Sequence, residues 1–148
     1  MKYPIIFTLA LFSFCSSSVD GQSSWKSFQQ HGYYIELPDY FLPVASQDPA
    51  VDVFVNSNNR EILLRIENSA SDQLNFNSKY LTEIGNSGVM SKVIKDSVYT
   101  VSYGDGNTIN YHKSFLSNGQ LHSLIISYPN KEKTQFDLIL QRIGRSFK

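Results

Sequence analysis

Residues 98–128 constrain the fold more than any other stretch, because two successive hairpins can be read there almost residue by residue. Ser117-Asn118-Gly119-Gln120 carries the Asn-Gly pair of a two-residue type I′ turn, in which both central residues have positive φ. With Ser117 opposite Gln120, Leu116 faces Leu121, Phe115 faces His122, Lys113 faces Leu124, Tyr111 faces Ile126 and Ile109 faces Tyr128. Side chains alternate along a strand, so Ile109, Tyr111, Phe115, Leu124, Ile126 and Tyr128 share one face, with Lys113 and His122 towards its edge. The opposite face carries Asn110, His112, Ser114, Ser123 and Ser127, relieved by Leu116, Leu121 and Ile125. One face reads as core and the other as mostly wet.

The first hairpin turns at Gly104-Asp105-Gly106, and parity decides its loop. A two-residue Asp105-Gly106 turn pairs Val101 with Asn110 and Tyr99 with His112, which puts apolar residues on the wet face. A three-residue loop, with Gly106 left-handed in a G1 bulge, pairs Val101 with Ile109 and Tyr99 with Tyr111. The three-residue loop is the expectation. It brings Tyr99, Val101 and Tyr103 to the core face, where each aromatic cross-strand pair adds about 0.2–1 kcal/mol.

The segment 131–147 supplies the cover for that face. Phe136, Ile139, Leu140, Ile143 and Phe147 recur at spacings of three and four, one stripe of a helix. Pro129 ends the preceding strand, Asn130 is the expected cap, and Arg142, Arg145 and Lys148 complement the negative end of the helix dipole. Burying those five side chains contributes about 1.5–3 kcal/mol each before entropy is subtracted.

The chain opens on Met1-Lys2 and an apolar run from Ile5 to Phe14, the short basic start and apolar core of a secretory signal peptide. Residues 1–21 are assigned to it, with Val19 and Gly21 at minus three and minus one, and residues 22–148 to a single domain. The alternative is a lipoprotein anchored through Cys15, the one route by which the protein meets a membrane; Phe14 is bulky where such signals carry a small residue. Cys15 is the only cysteine, so no internal disulfide forms and no thiol chemistry survives cleavage. Thirteen basic and thirteen acidic residues balance, which argues against nucleic acid as a partner.

The segment 23–30 is a polar lead-in whose Trp25 and Phe28 form one helical turn or an aromatic tether. Gly32 to Pro38 reads as a strand and residues 39–43 as an aromatic-rich turn. Residues 51–55 and 61–67 form a third hairpin across Asn56-Ser57-Asn58-Asn59. A helix is expected over 70–84, carrying Leu74, Tyr80, Leu81 and Ile84, with Asp72 near its start and Gly85 after its end. Residues 89–95 form a strand feeding the central hairpins. The expected class is α+β, an antiparallel sheet of about six strands with helices packed on it, the last being the C-terminal amphipathic helix.

Gly32-Tyr33-Tyr34-Ile35-Glu36-Leu37-Pro38, the two central hairpins, Tyr128-Pro129 and the terminal helix ending in Phe147 together resemble the PsbP/Mog1-like superfamily. The resemblance covers nearly all of residues 22–148 and implies a sheet sandwiched by helices. It also implies non-enzymatic binding or assembly roles, as in the photosystem-associated and Ran-binding members. No residue-level match to those members' sites is found, so no partner or metal is carried over.

Chemistry has little to build on. His112 and His122 fall on opposite faces of one hairpin, and neither they nor His31 have metal-ligand spacing. Asp105-Gly106-Asn107 with Asn110 lacks the further carboxylates of a calcium loop, and no serine sits in GxSxG or SxxK. No catalytic residue, metal or cofactor is assigned. Tyrosine suits binding surfaces, its ring being apolar and its hydroxyl able to bond. Tyr33, Tyr34, Tyr40, Phe41, Tyr99, Tyr103 and Tyr111 are accordingly the candidate lining of a sheet–helix groove. Three readings remain open: an exported non-catalytic interaction or assembly domain with an unknown protein partner, which is favoured; a carrier of a small amphipathic ligand; and a small hydrolase, which needs a histidine beside a carboxylate and a nucleophile in a cleft.

Overall fold

The computed structural model describes residues 23–148; the expected signal peptide, its cleavage point and Cys15 lie outside the described residues. The fold is α+β. Strands β3 (Phe41–Val44), β4 (Val51–Asn56), β5 (Leu63–Ala70), β6 (Val89–Lys95), β7 (Val98–Gly104), β8 (Thr108–Ser117) and β9 (Gln120–Pro129) form one antiparallel sheet in the order β3-β4-β5-β9-β8-β7-β6. Strands β1 (Trp25–Gln30) and β2 (Tyr33–Pro38) form a separate hairpin, and the helices are α1 (Gln73–Ile84) and α2 (Lys133–Ser146).

The strands outnumber the expected six because two segments read otherwise are extended. Residues 25–30 are β1, neither a helical turn nor a loose tether, and residues 41–44 are β3. The β1–β2 hairpin turns on His31 and Gly32, both at positive φ. Its buried Tyr33, Ile35 and Leu37 join the core that α2 covers, and Tyr34 exchanges backbone hydrogen bonds with Lys148 just beyond the helix.

The second central hairpin has the register read from Asn118-Gly119, from Ser117 opposite Gln120 to Ile109 opposite Tyr128. The first does not. Val101 pairs with His112 and Tyr99 with Ser114, so the chain reverses through Gly106-Asn107 and the three-residue loop is overturned. Asp105 decides the turn locally, its Oδ1 accepting from the backbone N–H groups of Asn107 at 3.0 Å and Thr108 at 2.8 Å. Pairing odd with even residues sends Tyr99, Val101 and Tyr103 to the face that carries His112 and Ser114.

That face is not wet in its centre, and α1 is the reason. Asp72 caps α1 by accepting from the backbone N–H of Asn75, and Gly85 follows its last turn. The inward anchor is Phe76, which packs with Tyr99, Val101 and Leu121 in a second apolar cluster. Leu74 and Leu81, expected in the helix's apolar stripe, are exposed instead. The sheet is thus packed on both faces, by α1 on one and by α2 with the β1–β2 hairpin on the other.

Helix α2 buries Phe136, Leu140 and Ile143, with Phe147 just past its end. Asn130 does not cap it. A 3-10 turn, Asn130–Glu132, precedes the helix, and the Asn130 side chain donates to the carbonyl of Gly106 in the β7–β8 turn. The C-terminal end is tied down by Lys113, whose Nζ donates to the carbonyls of Gly144 at 2.7 Å and Phe147 at 2.8 Å.

Candidate functional site

Helix α2 crosses the sheet without reaching its β6 edge, and this leaves a groove of about 520 Å³ between the helix and strands β6–β8. Its floor is made of short side chains, Thr100 and Ser102 on β7, beside Ile109 and Tyr111 on β8. Its wall is the flank of α2 with Lys133, Asp137, Leu140 and Arg145, and Met90 closes the outer rim. Gly144 lets the sheet and helix come together here, since a Cβ at that position would overlap the Tyr111 hydroxyl.

The polar groups of the groove are largely committed to one another. Asp137 accepts from Lys133 through Oδ2 and from the Tyr128 hydroxyl, at 3.2 Å, through Oδ1. Burial raises the Tyr128 and Tyr111 hydroxyls above the ordinary tyrosine value, so both stay protonated. Burial also lowers the Lys113 ammonium from its ordinary value. Arg145 donates Nε to Gln141 in its own helix and has no carboxylate partner among the described residues. Three cations against one carboxylate leave the groove positive.

The seven aromatic residues singled out from the sequence do not meet there; Tyr111 alone lines it. Tyr33 is buried, donating to Asp52 Oδ2 at 2.8 Å, and Phe41 is buried against Phe136. Tyr34 donates to Glu36 and lines a shallower groove with Arg142 and Lys148 at the end of α2. Tyr40 is half-buried beside Phe41 and faces another shallow groove near Ile139. Tyr99 and Tyr103 lie beneath α1 on the far side of the sheet. Thr100, Ser102 and Gly144 went unnoticed because small residues carry no pattern, and Arg145 was read only as a complement to the helix dipole. The usable signal was Gly144, a glycine inside an amphipathic stripe.

His122 and His112 are buried in the sheet, whereas His31 is exposed at the β1–β2 turn with Nε2 3.8 Å from Asp52 Oδ1. His122 donates Nδ1–H to Asn68 Oδ1 at 2.8 Å and stacks on Phe115; burial, with His31 nearby, lowers its pKa. His112 lies on the opposite face, as the register requires, with Nδ1 2.8 Å from Glu83 Oε2 and Nε2 3.2 Å from the Tyr103 hydroxyl. Nearby, Lys79 donates to Ser123 at 3.0 Å. Both arrangements have elements of acid–base chemistry, but Ser123 is 2% exposed and His112 9%, beneath α1. Among the described residues no three His, Cys, Asp or Glu side chains are grouped to hold a metal.

No known family profile matches the sequence, and no curated protein matches it. Solved structures do. The chain resembles the cyanobacterial PsbP protein (CyanoP) of Synechocystis at 15% identity and a TM-score of 0.65, over 91% of this chain and 98% of that one. It resembles the Ran-binding protein Mog1p of Saccharomyces cerevisiae at 13% identity and a TM-score of 0.56, over 85% and 95%. A Bacteroides thetaiotaomicron protein matches at 9% identity and a TM-score of 0.56, over 78% of this chain and 44% of that one. The chain therefore has the PsbP/Mog1-like fold, as its opening strand and terminal helix implied. At these identities the likeness speaks for the fold alone.

Proposed function

We propose that the protein is exported, released after Gly21, and acts as a single non-catalytic interaction domain that holds a protein partner on the side where α2 leaves β6–β8 open. The groove carries this reading: it interrupts the cover of the sheet beside α2, is positively charged and floored by apolar and hydroxyl side chains, and holds Lys133, Asp137 and Tyr128 bonded to one another while Arg145 has no carboxylate partner among the described residues. Mog1p, of the same fold, is named for binding another protein, which supports a binding role here. Among the described residues no helix is long and apolar enough to cross a membrane.

The test places a photo-crosslinking amino acid at Ser102 in the groove floor and, as control, at Asn77 on the outer side of α1. A discrete adduct in the envelope fraction from position 102 but not 77 is expected; adducts from neither or equally from both would refute the reading. Intact mass of the purified protein distinguishes cleavage after Gly21 from a lipid on Cys15. The groove volume also falls within the range of about 300–1,000 Å³ typical of small-ligand sites. An anionic amphiphile is the second reading, checked by native mass spectrometry for a co-purified ligand.

A further inference from the structure

The two edges of the large sheet differ in a way that bears on what docks beside the groove. Edge strand β3 is four residues long and contains Pro43, which has no N–H to offer a neighbour. Edge strand β6 is seven residues long, contains no proline and is exposed along nearly its whole length. Met90, Val93, Ile94 and, at the start of β7, Val98 expose 53%, 63%, 42% and 39% of their surfaces, four large apolar residues within nine positions. An unpaired strand of this kind offers a row of backbone donors and acceptors.

The register fixes what lies on each side of it. Val93 pairs with Thr100 and Ser91 with Ser102, so Ser91, Val93 and Lys95 face the α2 side, in line with the groove floor. Lys92 and Ile94 face the α1 side. A bulge between Val89 and Ser91 turns Met90 into the groove rim. The edge and the groove are therefore one continuous surface, and every charge on strand β6 is positive.

We propose that the partner binds as an extended segment bearing apolar and acidic residues, adding a strand to β6 and laying alternate side chains into the groove beside α2. This rests on the reading of the groove as a protein-binding site and names the chemistry of its occupant. Backbone pairing along β6 supplies affinity, Met90 and Val93 take apolar side chains, and Lys95, Lys92 and Arg145 take carboxylates. The same lysines disfavour two of the registers in which a second copy of this chain could pair. An antiparallel β6–β6 pair centred on Lys92 sets Lys92 against itself, and one centred between Val93 and Ile94 sets Lys92 against Lys95; like charges directly opposite are destabilising.

The experiment pans a phage-displayed library of random twelve-residue peptides against the purified protein, then maps the enriched peptides by amide hydrogen exchange. Enriched peptides should combine apolar and acidic residues without proline, and slow exchange at least tenfold at outward-facing amides of β6. The double variant Lys92→Glu, Lys95→Glu, with an unchanged melting temperature, should weaken them at least tenfold, as should N-methylation of alternate peptide amides. Enrichment of basic or helical peptides, protection on β3 or α1, or self-association through β6 would overturn the proposal. Peptides that perturb Tyr111 and Gly144 yet leave β6 unprotected would overturn strand addition while the groove reading survives; loss of the adduct at position 102 removes the groove reading itself.

Discussion

Replacing Gly144 by alanine sets two effects of opposite sign against each other. In a helix interior alanine is favoured over glycine by about 1 kcal/mol, so propensity alone makes the variant more stable. Gly144 is buried, however, and its added Cβ would overlap the Tyr111 hydroxyl and lie 3.2 Å from the ring carbon that bears it. The Tyr111 backbone is held in place, since β8 is paired on both sides, with β7 and β9, so any relief has to come from the ring. Overpacking of this kind costs roughly 1–3 kcal/mol, and subtracting the propensity gain leaves a net loss of about 1 kcal/mol. For a chain of this size that lowers Tm by roughly 4 °C. Tyr111→Phe removes the overlapping oxygen, so Gly144→Ala should cost less in the Tyr111→Phe background, with a coupling of about 1 kcal/mol. Equilibrium urea denaturation of the four proteins in the cycle measures this. A Gly144→Ala protein as stable as its parent, or costs that simply add, would show that α2 does not rest on Tyr111 and that the groove has no such inner end.

The Tyr99 hydroxyl is buried without a hydrogen-bond partner among the described residues, and burial pushes its pKa up to about 12. Its cross-strand partner Ser114 directs its own hydroxyl to Ser123. Tyr99→Phe should therefore be neutral or stabilising by about 1 kcal/mol in urea denaturation, whereas a loss would reveal a bond not present in the structure. His122 has its folded-state pKa lowered from 6.5, so the unfolded chain binds the extra proton and stability falls as pH drops below about 6.5. Thermal melts from pH 7.5 to 5 should show that decline in the parent and a flatter profile in His122→Gln. Asp105 is held below its ordinary value of 3.8 by the N–H groups of Thr108 and Asn107, so its contribution is present above that pH and lost as pH falls through the lowered value. Asp105→Asn keeps an acceptor for the turn, and its acid unfolding profile should lose this component while its stability at pH 7 stays close to that of the parent.

The two central hairpins show why one register was legible and its neighbour was not. Asn118-Gly119 admits a single tight turn between strands of matching length, so the pairing from Ser117–Gln120 to Ile109–Tyr128 follows from local chemistry. Gly104-Asp105-Gly106-Asn107 offers several. The choice among them depends on the Asp105 side chain binding two backbone amides and on what covers the far face of the sheet. The second condition is nonlocal: Tyr99 and Val101 belong on that face only because Phe76 of α1 meets them there. The apolar pattern of α1 is half right: Tyr80 and Ile84 pack against that cluster, whereas Leu74 and Leu81 are exposed and Phe76, the buried anchor, lies outside the expected stripe. The resemblance to helix-sandwiched folds carried the missing information, and where it conflicted with the parity argument the sandwich prevailed.

The candidate site was less legible for a related reason. Large aromatic residues are the ones a sequence advertises, and a folded chain of this size uses them first to fill its core, as Tyr33, Phe41 and Tyr99 do here. A groove forms where side chains are absent or short, at Thr100, Ser102 and Gly144, which are unremarkable one by one. They acquire meaning once the register places two of them on the α2 side of β7 and the third opposite Tyr111. The same register aligns Val93 and Lys95 with that floor and separates them from Lys92 and Ile94. A surface whose recognition depends on alternation along an edge strand is thus readable only after the strand's neighbours are known, which is why a β7–β8 register three residues from the expected one was enough to hide it.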